Sequence, residues 1–210
     1  MTGRHVKEKG MFLRVAGLLV AMALVTSACG VGEAFAKRRV VPPRSGQVGL
    51  GMQGQFGTLL DSGLIGSEFG QGPGLTVRVR YRMRYERAIG LSFESQSFDA
   101  RNPSDSTGAL TKATAVLSGL ELYQLFGTRS NAHKMISVGI GLAQISQDTN
   151  DGGTIFPGDG LYVSAGAGVE QFFWNSWAFD LSTRYMTIFQ EGGTNHDFQI
   201  SLGLIFYASY

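Results

Sequence analysis

Leu75-Thr76-Val77-Arg78-Val79-Arg80-Tyr81-Arg82-Met83-Arg84-Tyr85 alternates without a break. Leu75, Val77, Val79, Tyr81, Met83 and Tyr85 share one parity, and Thr76, Arg78, Arg80, Arg82 and Arg84 share the other. Successive side chains of a strand point to opposite faces, so this period of two predicts a strand with one apolar and one charged face. Buried guanidinium groups survive only when paired, so the charged face must meet water or carboxylates from other strands.

The same period recurs from Gln47 onward. Val48, Leu50, Met52 and Phe56 oppose Gly49, Gly51, Gln53 and Gln55. Ile89, Leu91 and Phe93 oppose Gly90, Ser92 and Glu94. Val116, Leu120 and Leu122 oppose Gly119, Glu121 and Tyr123, with Leu117 out of pattern. Ile136, Val138, Ile140 and Leu142 oppose Ser137, Gly139, Gly141 and Ala143. Leu161, Val163, Ala165 and Val169 oppose Tyr162, Ser164, Gly166 and Glu170. Trp177, Phe179, Leu181 and Tyr185 oppose Ala178, Asp180, Ser182 and Arg184, and Phe198, Ile200, Leu202, Leu204 and Phe206 oppose Gln199, Ser201 and Gly203. No segment after Ala36 has helical spacing.

The connections alternate between long (58–74, 99–111, 146–159) and short (86–88, 127–132, 173–176), with 190–196 intermediate. An even number of such strands, with short turns at one end and long loops at the other, is the pattern of barrels that cross a membrane. Closure is obligatory there, because an unpaired edge in hydrocarbon leaves backbone groups without partners. The predicted fold class is all-β, an eight-stranded antiparallel up-and-down transmembrane β-barrel spanning residues 47–210.

A soluble ligand-binding barrel has the same alternation with the faces inverted, so the choice rests on the second face. Gly is 30 of 210 residues, about twice the ordinary ~7%, and it is concentrated on that face with Ala and Ser. Small residues suit a narrow packed lumen. The charged members are Arg78, Arg80, Arg82, Arg84 and Arg184 against Glu94, Glu121, Glu170 and Asp180, a near balance that predicts an internal network of charge-assisted hydrogen bonds. A symmetric hairpin about Arg87 predicts Arg80 opposite Glu94, and the same construction places Glu170 opposite Asp180, a like-charge pair that needs an Arg from another strand. Tyr85, Tyr123, Phe126, Phe172, Trp174, Trp177, Phe179, Phe206 and Tyr210 gather near the short-turn end, with Phe56, Phe98, Ile188 and Phe189 near the other. This is the expected placement of interfacial aromatic belts.

The N-terminus reads as a targeting segment. Arg4, Lys7, Lys9 and Arg14 precede an apolar run from Val15 to Ala28, too short for a spanning helix, which needs about 20 residues. Ala34 and Ala36 fit an A-x-A cleavage site, so residues 1–36 are expected to be a signal peptide. Residues 37–46 then form a periplasmic linker around Pro42-Pro43. Cys29, the only cysteine, offers a competing lipidated terminus. Residues 1–36 hold four Lys/Arg and two Asp/Glu, which leaves 14 of each sign in the remaining chain. A neutral chain gives no argument for a nucleic-acid partner.

Ser201-Leu202-Gly203-Leu204-Ile205-Phe206 resembles the C-terminal signal of outer-membrane barrels. Together with the signal segment and the eight strands it is similar to the small outer-membrane barrel family, which includes the OmpA membrane domain, OmpX, OmpW and the opacity proteins. The resemblance covers nearly all of 47–210. It implies an outer-membrane location, lipid as surroundings, and delivery by the barrel-assembly machinery through the last strand.

Chemistry is sparse. His133 opens strand five beside a short turn, where an exposed structural role is expected. His196, Asp197 and Ser201 hint at the rim triad of lipid-modifying barrels, but parity separates His196 from Ser201. Asp148-Thr149-Asn150-Asp151-Gly152 lacks the later ligands of a calcium loop. No cofactor, metal or catalytic residue is expected, and the sequence names no ligand for the loops. The expected role is structural or surface-interacting, with a lumen filled by side chains. The alternatives are a narrow pore or a transporter of small apolar solutes of OmpW type, and then a soluble periplasmic barrel.

Overall fold

A computed structural model describes residues 43–60, 65–102, 109–174, 176–191 and 193–208. The expected signal segment, Cys29, residues 37–42 of the linker and Tyr210 lie outside the described residues. Eight strands follow in order: β1 Val48–Leu59, β2 Gln71–Arg84, β3 Arg87–Asp99, β4 Leu110–Phe126, β5 Ala132–Thr149, β6 Thr154–Trp174, β7 Trp177–Gln190 and β8 Gly193–Tyr207. Each pairs antiparallel with the next, and β1 pairs with β8 from Gly49↔Tyr207 to Leu59↔Asp197, which closes the barrel.

Parity sorts the side chains as the alternation predicts. Leu50, Val77, Phe93, Ile140, Leu161 and Leu202 are exposed on the outer wall, while Thr76, Arg80, Arg82, Glu170 and Gln199 are fully buried in the lumen. The inversion that a soluble ligand-binding barrel needs is absent from the described strands. No helix among the described residues is long and apolar enough to cross a membrane.

The turns hold the first correction. The β2–β3 connection is the two residues Tyr85 and Glu86, not a symmetric turn about Arg87. Arg84 pairs with Arg87, and a bulge between Arg82 and Arg84 restores like-face pairing at Arg82↔Ala88. A bulge sets two residues against one, so it absorbs the parity change that a two-residue turn imposes. Arg80 therefore faces Gly90, and Glu94 faces Thr76; the expected Arg80–Glu94 pair does not form. The β6–β7 turn uses the same device, with Trp174↔Trp177 following a bulge after Phe172↔Ala178, and Glu170 lies opposite Asp180.

The long connection expected at 146–159 is mostly strand. β5 and β6 run on to leave only 150–153 as turn, a tall hairpin held by Asp148↔Thr154 pairing. In that turn Gly152 has φ +83°, and Asp151 accepts from the Thr149 hydroxyl and, at 3.2 Å, from the Gly153 amide. These bonds hold the Asp151 carboxyl below its usual range. The stretch weighed as a calcium loop is thus a self-capped turn.

The second correction concerns the lumen near the long-loop end, which is apolar. Leu59, Phe98, Leu117, Ile145, Met186 and Ile188 point inward and surround Ile65 and Phe69 from the β1–β2 loop. Leu117, out of pattern in the sequence, belongs to this cluster, and Phe98 and Ile188 leave the expected outer belt for it. Arg101 fastens the loop, donating from Nε to the Gly66 and Phe69 carbonyls at 2.9 Å and from Nη2 to the Leu59 carbonyl at 2.7 Å. The Ile65 amide donates to Asn195 Oδ1 at 2.8 Å. Burying side chains of this size contributes roughly 1.5–3 kcal/mol each, so the loop is bound into the mouth by packing as well as by hydrogen bonds.

Candidate functional site

Below the apolar mouth the lumen holds two linked charge clusters. The first sits toward the short-turn end. Glu170 on β6 and Asp180 on β7 are cross-strand neighbours and both fully buried. Arg80, reaching across from β2, pairs with both: with Glu170 through Nη1, and with Asp180 through Nη2 at 3.1 Å. Arg82 pairs with the other Glu170 oxygen at 2.5 Å, and the Tyr207 hydroxyl donates to Glu170 at 2.7 Å. The like-charge pair is therefore neutralised by two arginines from the far wall.

Aromatic rings flank this cluster. The Arg80 guanidinium lies 4.1 Å from the Tyr123 ring centroid, and that of Arg82 lies 5.1 Å from the Tyr207 centroid, within reach of cation–π attraction. His133 is fully buried, with Nδ1 3.3 Å from Arg82 Nη2, and its ring tilts against Phe172 at 4.8 Å. The exposed His133 expected from its place beside a turn is thus corrected: its side chain follows strand parity inward and floors the lumen.

The second cluster centres on Arg184 of β7. Its guanidinium bridges Glu94 of β3 and Glu121 of β4, the latter at 2.8 Å, and its Nε donates to Gln199 at 3.2 Å. Arg78 Nε stands 3.7 Å from Glu121, to which the Tyr123 hydroxyl also donates. Gln199 extends the chain to Gln96 at 2.7 Å and to Asp197 at 2.8 Å. Charge-assisted bonds of this kind are about twice as strong as neutral ones.

Of the nine residues read as the lumen network, the structure buries Arg78, Arg80, Arg82, Glu94, Glu121, Glu170, Asp180 and Arg184 inside. Arg84 is exposed, because the bulge after Arg82 turns it out beside Arg87. Asp197, weighed in the sequence with His196 and Ser201 at the rim, is a lumen residue. It shares the odd parity of Gln199 and Ser201, a signal that an extension of strand eight by one residue would have reached.

Of the expected aromatic belt, Tyr85, Phe126, Trp174, Trp177, Phe179 and Phe206 are exposed at the short-turn end. Tyr123 and Phe172 are not part of it; both are buried in the lumen, on the parity of Glu121 and Glu170. Three inward tyrosines lie against wall glycines. A Cβ added at Gly49 would stand 2.7 Å from Tyr207 Cε1, one at Gly90 3.0 Å from Tyr123 Cε2, and one at Gly141 2.6 Å from Tyr162 Cε1. Glycine leaves the space in which each ring rests on the neighbouring strand.

The rim residues do not form a hydrolytic triad. His196 points outward to the Tyr185 hydroxyl at 2.8 Å and the Thr187 hydroxyl at 3.2 Å, while Ser201 is buried in the lumen. Among the described residues no group of His, Cys, Asp and Glu could hold a metal ion.

The family model described as "Outer membrane protein beta-barrel domain" matches residues 21–206. The chain belongs to this family. It is an outer-membrane protein, and its apolar outer wall faces lipid. Neisserial surface protein A superposes with a TM-score of 0.60 at 14% identity, covering 76% of this chain and 96% of that one. OprG of Pseudomonas aeruginosa gives 0.52 at 13% identity, covering 81% and 100%. Ail, the attachment invasion locus protein of Yersinia pestis, gives 0.51 at 11%, covering 77% and 99%. At such identities these likenesses show the fold. No curated protein matches the chain.

Proposed function

We propose that this is a non-enzymatic outer-membrane barrel with a closed lumen, serving envelope integrity and surface interaction through its long-loop end. The supporting observation is closure at two levels: the Arg80–Glu170 and Arg184–Glu121 clusters in the middle and the Ile65–Phe69 plug above them. An eight-stranded barrel is just wide enough for side chains to fill it. Liposomes carrying the full-length protein are expected to swell in small sugars no faster than empty liposomes. Steady solute flux or a stable single-channel conductance overturns the proposal.

The apolar mouth favours one second reading, a transporter of small apolar solutes, in which Ile65 and Phe69 leave the mouth and the solute takes their place against Leu59, Phe98 and Ile188. Cellular uptake of a short alkane that depends on the protein, without sugar flux, would select it. The surface partner is proposed to be cationic. Ail was solved with the heparin analogue sucrose octasulfate, whereas here Asp99, Asp151, Asp159 and Glu191 are exposed at the long-loop end and repel a polysulfate. Heparin binding by cells displaying the protein would refute that part.

A further inference from the structure

The short-turn end carries the opposite charge. Arg44, Arg84, Arg87, Arg129 and Lys134 are all exposed there, with Glu86 the exposed acid among them. Arg84 and Arg87 are direct cross-strand partners. Arg87 pairs onward with Gln124, and Gln124 with Ile136, so a cationic row runs across the wall into an apolar one. Lys134 follows two residues before Ile136 on the same face. Arg44 is brought close by Ser45, whose hydroxyl donates to the Met83 carbonyl at 2.7 Å. Among the described residues neither Arg84, Arg87 nor Lys134 has an ion-pair partner, in contrast to every lumen arginine.

A groove opens in the outer wall beside this row. It measures about 360 Å³ and is lined by Met83, Leu122, Ile136 and Val138, with Arg87 and Gln124 at its edge. That volume lies in the range of concavities that hold small ligands. The four apolar side chains are all exposed on the lipid face. Short turns mark the periplasmic end in barrels of this kind, so the groove lies at the border between hydrocarbon and the periplasmic headgroups.

We propose that this groove is a binding site for an anionic phospholipid of the periplasmic leaflet. One acyl chain lies on Met83, Leu122, Ile136 and Val138. The phosphate is held by Arg87 and Arg84, with Lys134 close by. A zwitterionic lipid fills the same groove, but its ammonium group meets a cationic edge, so the site selects net negative charge. The bulge after Arg82 creates the selectivity by turning Arg84 outward beside Arg87. The inference rests on the lipid-facing wall and is independent of whether the lumen conducts.

The test uses the full chain in bilayer nanodiscs of phosphatidylcholine with about one-tenth phosphatidylglycerol, followed by native mass spectrometry of the lipids retained on the released barrel. The ratio of phosphatidylglycerol to phosphatidylcholine on the barrel is expected to be about tenfold its bulk value, the scale that one or two basic side chains give near an anionic surface. The double variant Arg84→Gln/Arg87→Gln is expected to return the ratio to bulk. Val138→Trp, which fills the groove and leaves the charges in place, is expected to lower total retention. The boiled-versus-unboiled gel shift of each variant reports that it is folded. Retention at the bulk ratio in the unaltered chain overturns the proposal, as does undiminished enrichment in a folded double variant. Displacement by soluble glycerol phosphate as effective as by the lipid overturns the part assigned to the groove.

Discussion

Replacing Glu170 by Gln keeps the shape of the side chain and removes its charge. Glu170 is fully buried and touches Arg80, Arg82 and the Tyr207 hydroxyl, with Asp180 opposite. At an effective dielectric of about 20, each arginine contact is worth roughly 4 kcal/mol at 4 Å. The Asp180 neighbour offsets about 3 kcal/mol at the ~5 Å cross-strand spacing, and desolvating the carboxylate costs several more. The pair as built is therefore close to balance. The variant is not, because Arg82 pairs with no other described carboxylate and Arg80 keeps only Asp180. Removing one member of a buried pair typically costs ~3–5 kcal/mol, and with a urea slope of about 1–3 kcal/mol/M the unfolding midpoint falls by roughly 2 M. The two tryptophans, Trp174 and Trp177, are both exposed at the lipid-facing rim, so their emission reports insertion during urea titration in liposomes. Adding Arg82→Gln to Glu170→Gln should recover part of the loss, since coupled sites are not additive. A midpoint within ~0.3 M of the parent, or losses that simply add, would refute the view that this cluster neutralises its own charges. Arg84→Gln is the control; as an exposed side chain it should change stability by no more than about 0.5 kcal/mol.

Gly141→Val drives its Cβ into the Ser118 carbonyl and the Gly119 Cα of β4 as well as the Tyr162 ring and should cost about 1–3 kcal/mol of stability, a loss that adding Tyr162→Ser should not restore in the same titration, because the backbone contacts remain. Leu202→Arg, on the outer wall near the middle of β8, should cost ~2–4 kcal/mol, whereas Trp177→Arg at the rim should cost about 0–1 kcal/mol; equal losses would misplace the membrane. Arg101→Ala releases two carbonyls of the β1–β2 loop, Gly66 and Phe69, and that of Leu59 at the end of β1, and protease added to intact cells should then cut between residues 65 and 70 faster than in the parent. Raising salt to 1 M should leave the stability of the parent nearly unchanged, because buried pairs are screened far less than exposed ones.

The alternation of Leu75–Tyr85 and of the seven segments like it settled strand number, antiparallel order and which side chains share a face, and the small residues and balanced charges of the second face settled which of the two meets lipid. Those features are legible because side-chain direction in a strand is local: residue n and residue n+2 share a face whatever the rest of the chain does. The same parity reaches Tyr123, Phe172, His133 and Asp197, whose positions near turns suggested other surroundings.

Three features belonged to the tertiary structure alone. The bulges after Arg82 and Phe172 insert one unpaired residue each, which no hydrophobic pattern marks, and the first of them decided both the register of Glu94 and the outward turn of Arg84. The pairing of Arg80 with Glu170 and Asp180 crosses the lumen from β2 to β6 and β7; sequence shows the charges in near balance, but only barrel closure brings particular ones within reach. The insertion of Ile65 and Phe69 into the mouth depends on apolar side chains of β1, β3, β4, β5 and β7 converging around them. Periodicity carries the local direction of each side chain, while partner choice is a property of closure, where strands distant in sequence become opposite walls of one narrow space.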